Sequence, residues 1–181
     1  FQPAEEGLGG AQACIEAGFL DGVDAAFGIH VWNELPVGTV AIPHGGVMAG
    51  VVEFEVTITG RGGHGALPDR TADPVVASAQ LILALQQVVS RRTSPFEPAV
   101  VSVGAVHAGE AFNVIPDEAR ILGTARTFSD AAEQDVEHHI RQIAQGVAQA
   151  TGTSVEVDWR RYSGPTVNES GMVEVVRRAA E

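Results

Sequence analysis

The 181 residues are 45% hydrophobic and 19% charged, enough apolar content for the packed core of one or two domains. A formal net charge of −12 excludes the basic face that nucleic acid and anionic membrane surfaces require, and every basic side chain is an arginine. The single cysteine, Cys14, excludes an intrachain disulfide, and no apolar run reaches membrane-spanning length.

With no signal-peptide pattern, a cytoplasmic enzyme is expected; with no initial methionine, the chain reads as a segment of a longer protein. Residues 7–18 predict a helix with Leu8, Ala11, Cys14 and Ile15 on one face and Gly18 as its stop. Residues 24–31 are apolar enough for a strand buried on both faces, and 36–43 predict a second strand bounded by prolines. Residues 51–58 alternate apolar and polar, as a half-buried strand does. A glycine-rich loop follows at 60–65. Asp73 is the expected N-cap of a long helix with Pro74 at N1 and an apolar face of Val75, Val76, Ala79, Leu81, Ile82, Leu85 and Val89. Strands are predicted at 100–106 and 119–128, a Ser129-capped helix to about 150, a strand at 154–161, and a last helix over 171–181. The order β-α-β-β-α-β is the split, ferredoxin-like arrangement. An inserted domain at 46–162 is therefore expected between two pieces of an α/β domain, 1–45 and 163–181.

Glu5 and Glu6 stand side by side after Pro3. Adjacent carboxylates repel unless a cation is near; one can bind a metal while its neighbour handles a proton. The plainer reading is an acidic first helical turn. His30 ends the apolar stretch Phe27-Gly28-Ile29-His30, and imidazole with carboxylate is a usual zinc donor set. Residues 60–65 match G-x-G-x-x-G, but residues 67–74 separate the glycines from the helix, so the nucleotide-binding context is missing. The loop either presents His64 as a donor to a developing oxyanion or is a surface turn with an idle histidine. Asn113, between apolar residues, is a candidate polar contact or a turn former. Arg126 lies among small residues that leave room for a ligand, and a guanidinium grips a carboxylate with two parallel bonds. His44 is read as a hinge contact, His138 and His139 as solvated, and Cys14 as a buried small apolar residue.

Taken together, Phe1-Gln2-Pro3-Ala4-Glu5-Glu6-Gly7, Gly28-Ile29-His30-Val31, Gly62-Gly63-His64-Gly65-Ala66-Leu67-Pro68, Asn113-Val114-Ile115-Pro116 and Gly123-Thr124-Ala125-Arg126-Thr127-Phe128 resemble one family. It is the metal-dependent amidohydrolases and carboxypeptidases that include aminoacylase, hippurate hydrolase and the auxin-conjugate hydrolases. The resemblance implies a ferredoxin-like lid and dimerisation domain inserted into an α/β zinc-peptidase catalytic domain. It implies Glu5 as the general base toward a metal-bound water, Glu6 and His30 as ligands, and two zinc, manganese or similar divalent ions. It implies that His64 reaches the active site of a neighbouring subunit in a homodimer, and that Asn113 and Arg126 hold an N-acyl amino acid or small peptide. The family's upstream and C-terminal ligands are not in this chain, so the segment alone is expected to be inactive. The competing expectation is a non-catalytic dimerisation or binding module.

Overall fold

Strand β2 (Gly50–Thr59) turns Val52, Phe54, Val56 and Ile58 inward and Glu53, Glu55 and Thr57 outward, as its alternating sequence requires. The structure is a computed structural model that describes residues 3–4 and 9–181. Glu5, Glu6 and Leu8 lie outside the described residues.

The chain divides into two compact units, Met48–Thr166 and a second made of Phe1–Val47 with Val167–Glu181. In the Met48–Thr166 unit, β2 pairs antiparallel with β6 (Glu118–Thr127) on one side and β7 (Ser154–Ser163) on the other. The strand β4 (Ala99–Ala108) pairs antiparallel with β6, giving the sheet order β4-β6-β2-β7. Helices α2 (Pro74–Gln87) and α3 (Asp130–Thr151) pack on the sheet face that carries Phe54, Ile58 and Ile121. This is the βαββαβ, ferredoxin-like domain expected from the element order. The strands β4 and β7 are its two free edges.

Both helices start where a side chain caps them. Asp73 accepts from the amides of Val75 and Val76, with Pro74 at the first helical position. Ser129 accepts from Ala132, and α3 ends at Gly152 in the left-handed conformation. The buried face of α2 differs from expectation. It is Pro74, Ala77, Ser78, Leu81 and Leu85, with Val88 following, while Val75, Val76, Ala79 and Val89 face outward. Small residues let the helix approach the sheet closely, so the bulkier valines of the first turn point away.

Other departures lie in the second unit. Its helix α1 is shorter than expected, Gly10–Glu16, and Cys14 is half-buried. Residues 24–31 and 36–43 form no strand; Ile29 is 84% and Val31 83% exposed. Apolar content makes a strand only where a neighbour takes its backbone hydrogen bonds. Among the described residues none does so here, and only β1 (Gly45–Met48) and β8 (Thr166–Asn168) pair. The last helix, α4 (Ser170–Ala180), begins with Glu169 accepting from Met172. Those two amides, of Gly171 and Met172, hold the Glu169 carboxyl below its ordinary range. On α3, the Nδ1 atom of His139 is buried without a hydrogen-bond partner, where solvation was expected.

Gly123 faces the core at the centre of the sheet. A Cβ there would collide with the Phe54 ring and sit 2.6 Å from the Ser102 carbonyl. Gly123→Ala is expected to destabilise the domain by about 1–3 kcal/mol in urea titration, and Phe54→Leu in the same chain should restore part of the loss.

Candidate functional site

The glycine-rich loop after β2 is a built ribbon. The amide of Gly60 donates to the Asp117 carbonyl, and that of Gly62 to the Asp117 carboxylate, each at 2.8 Å. Arg61 and Ala72 exchange two backbone bonds of 2.9 Å across the loop. The short strand β3 (Gly63–His64) then pairs with β5 (Val114–Ile115), Gly63 opposite Ile115 and His64 opposite Val114. The amide of Gly65 donates to the Asn113 carbonyl at 2.8 Å. A Cβ on Gly62 would strike the Ile115 carbonyl, so this glycine serves close approach of two backbones. His64 and Asn113, far apart in sequence, therefore occupy neighbouring positions on the ribbon, and both are exposed.

The ring of His64 has a defined polarity. Its Nδ1 accepts from the Ala66 amide at 3.1 Å, so the neutral ring carries its proton on Nε2 and offers it outward. His30 is the reverse. Its Nδ1 lies 2.6 Å from the Val31 carbonyl, which can only accept, so Nδ1 is the protonated atom and the Nε2 lone pair is bare. A bare imidazole nitrogen with the other nitrogen bound to a carbonyl is the form that ligates metals. His30 is exposed and meets Trp32 edge-on at 5.9 Å. Among the described residues no three His, Cys, Asp or Glu side chains gather as a metal cage. The donor chemistry of His30 fits a divalent ion, but a single described donor does not make a centre.

Arg126 stands on the open face of the sheet, opposite Val51 and Val100 and at the far end from the ribbon. From Glu118, next to the ribbon's root at Asp117, to Arg126 the strand runs about 27 Å at its usual rise. The structure thus brings Asn113 to His64 but leaves Arg126 well apart. The Nη1 of Arg126 donates to the Ala125 carbonyl at 2.9 Å, the Val52 carbonyl at 3.4 Å and the Thr124 hydroxyl. Those bonds fix the guanidinium plane and leave Nε and Nη2 to meet a carboxylate. Gly123 and Ala125, expected to leave room for a ligand, lie on the core face and instead make room for Phe54 and the helices. The open face also carries Glu53, which accepts from Tyr162 at 2.7 Å and lies 3.7 Å from Arg160. That hydrogen bond, with the Glu53 charge, raises the Tyr162 phenol above its ordinary range.

Asp117 is a functional support that reading the sequence missed. Its signal was an aspartate directly after Ile115-Pro116 at a strand start, facing a glycine-rich loop with free amides. His44, read as a hinge contact, lies 3.8 Å from Glu174 and 3.4 Å from Arg177 of α4.

The Met48–Thr166 unit is thus a ferredoxin-like domain with a histidine ribbon at one end of its sheet and an arginine at the other. Residues 48–153 match the M20_dimer family, the peptidase dimerisation domain, and the chain belongs to that family. It is 44% identical over 180 residues to an N-acetylcysteine deacetylase of Bacillus subtilis (strain 168), covering 99% of this chain and 47% of that protein. It is 42% identical to the IAA-amino acid hydrolase ILR1-like 4 of Arabidopsis thaliana, covering 95% of this chain and 40% of the relative. A solved Bacillus subtilis protein, YXEP, described as a dinuclear metal-binding peptidase of the M20 family, superposes with a TM-score of 0.80 at 39% identity. That match covers 99% of this chain and 45% of YXEP. The chain spans about half the length of the curated relatives it matches. Among its described residues no helix is long and apolar enough to cross a membrane.

Nitrogen-15 NMR of histidine-labelled protein, at a pH where the rings are neutral, is expected to show His64 as the Nε2–H tautomer and His30 as the Nδ1–H tautomer. Equal tautomer populations at either ring would contradict the hydrogen bonds described.

Proposed function

We propose that this chain is the Glu-Glu motif and lid of a metal-dependent amidohydrolase that cleaves the amide of N-acyl amino acids or small peptides. The observation that carries the reading is the ribbon, which holds His64, with its proton on Nε2, at a position adjacent to Asn113 across the β3–β5 pair. The names of the relatives support the reaction class, and YXEP supports a pair of divalent ions.

The proposed roles follow from donor chemistry. Glu6 and the bare Nε2 of His30 hold metal, with the other donors lying outside this chain. A divalent ion supplies charge that lowers the pKa of water and polarises a carbonyl. Glu5 takes the proton from the attacking water and returns it to the leaving amine nitrogen. His64 donates from Nε2 to the carbonyl oxygen as negative charge develops, and Asn113 adds an amide donor beside it. Arg126 receives the substrate carboxylate on its unused nitrogens. Since about 27 Å of β6 separates Arg126 from the ribbon, the two serve different reaction centres: Arg126 that of its own subunit, His64 and Asn113 that of the partner. The exposed apolar stretch at 24–43 is read as sheet-forming surface that the rest of the catalytic domain covers.

A homodimer supplies the required partner. The edge strand β4 contains no Asp, Glu, Lys or Arg, and Val100 and Val106 on it are about half exposed. Next to it, α2 shows Val75, Val76 and Leu83 to the outside. The opposite edge, β7, carries Glu156, Asp158, Arg160 and Arg161. Uncharged edges pair and charged ones resist pairing, so β4 with α2 is the proposed dimer surface.

In the complete enzyme, Glu5→Gln is expected to abolish turnover with metal still bound, and His64→Ala to lower kcat about 100- to 1,000-fold with a smaller effect on KM. Mixed dimers test the division of labour. Subunits bearing His64→Ala and Arg126→Ala, inactive separately, should regain one working site of two when combined; His64→Ala with Asn113→Ala should regain none. Complementation in the second mixture, or its failure in the first, would overturn the assignment. The isolated 181-residue chain is expected to show no turnover of N-acyl amino acids and only weak zinc binding by calorimetry.

A further inference from the structure

Phe112 is the one aromatic on the ribbon, and nothing in the mechanism uses it. Its side chain is fully exposed, at 103% of the reference area, although its backbone is held in place. The Val114 amide donates to the Ala111 carbonyl at 3.4 Å around it, and the next residue, Asn113, accepts from Gly65. An aromatic ring kept in water by an ordered turn is positioned for something that arrives. Leu67, 43% exposed, sits one turn beyond His64, its amide donating to the His64 carbonyl at 2.8 Å. The ribbon thus displays two polar groups, His64 and Asn113, flanked by two apolar ones.

The geometry points to Phe112 as a specificity-determining residue that contacts the acyl group of the substrate bound in the partner subunit, favouring bulky apolar acyl groups over acetyl. This rests on the amidohydrolase reading above. Consecutive Cα atoms are about 3.8 Å apart, so a substrate whose carbonyl meets Asn113 lies within reach of the Phe112 ring. The carboxylate end of that substrate belongs to Arg126 of the subunit that binds it, not to the subunit that supplies the ribbon. What remains near the ribbon is the group on the other side of the scissile carbonyl, the acyl chain. An acyl chain is apolar and covers an aromatic face without leaving any polar group unpaired.

The test uses the complete enzyme and two substrates that share one amino acid, the N-benzoyl and N-acetyl forms. Phe112→Ala should lower the benzoyl-to-acetyl ratio of kcat/KM about tenfold or more, and Phe112→Leu should fall between. Inhibition by benzoate relative to acetate should weaken in parallel, a readout that needs no turnover of the acylated substrate. Equal losses on both substrates would make Phe112 a support of the Asn113 turn, and an unchanged ratio would make it idle; either result overturns the inference. A dimer that dissociates at lower dilution in Phe112→Ala, by sedimentation, with the ratio unchanged, would assign the ring to the subunit contact instead and also overturn it. Wild-type enzyme that cleaves neither substrate, yet binds metal, would fail the amidohydrolase reading itself, a result distinct from the others.

Discussion

The pairing of Gly63–His64 with Val114–Ile115, rooted on Asp117, is the constraint on which the rest of the site depends. A loop rich in glycine could wander, and an imidazole on it would then spend little time in any useful place. Here the carboxylate of Asp117 captures the Gly62 amide while its carbonyl captures Gly60, so the loop leaves β2 in one direction only. Charge-assisted bonds from a carboxylate to backbone amides are among the stronger hydrogen bonds of a surface segment. The glycines earn their positions through crowding: Gly62 lies where a side chain would meet the Ile115 carbonyl.

Two histidines of one chain show opposite polarity for a local reason. Where the backbone offers an N–H, as at Ala66, the ring must accept and its far nitrogen donates; where it offers a carbonyl, as at Val31, the ring must donate and its far nitrogen accepts. The proposed division between an oxyanion donor and a metal ligand thus rests on the orientation of a single neighbouring peptide in each case. Arg126 follows similar logic, because bonds from one terminal nitrogen to its own strand and to β2 set the direction of the others.

Much of the ferredoxin-like domain was legible because its signals are local. The alternation of β2 survives as alternate burial, and Asp73 and Ser129 cap the helices they were expected to cap. The face of α2 was not legible from apolarity, since Val75 and Val76 are more hydrophobic than Ala77 and Ser78. Closeness of approach to the sheet, a tertiary property, selects the smaller pair. The role of Gly123 was misread for the same reason: a small residue marks a space, and only the packing shows that Phe54 fills it. Residues 24–43 failed differently. A buried strand is defined by its neighbours, and among the described residues this stretch has none. For the site, residue types pointed to His64, Asn113 and Arg126, but the adjacency of the first two and the distance of the third are products of register.

The unequal edges of the sheet bear on stoichiometry. With β4 as the proposed dimer surface, a two-fold contact consumes the uncharged border of both molecules and leaves the ion-bearing β7 border outside it. The charges on β7 would then limit assembly as much as the bare backbone of β4 starts it, and their neutralisation would turn a closed pair into a growing ribbon.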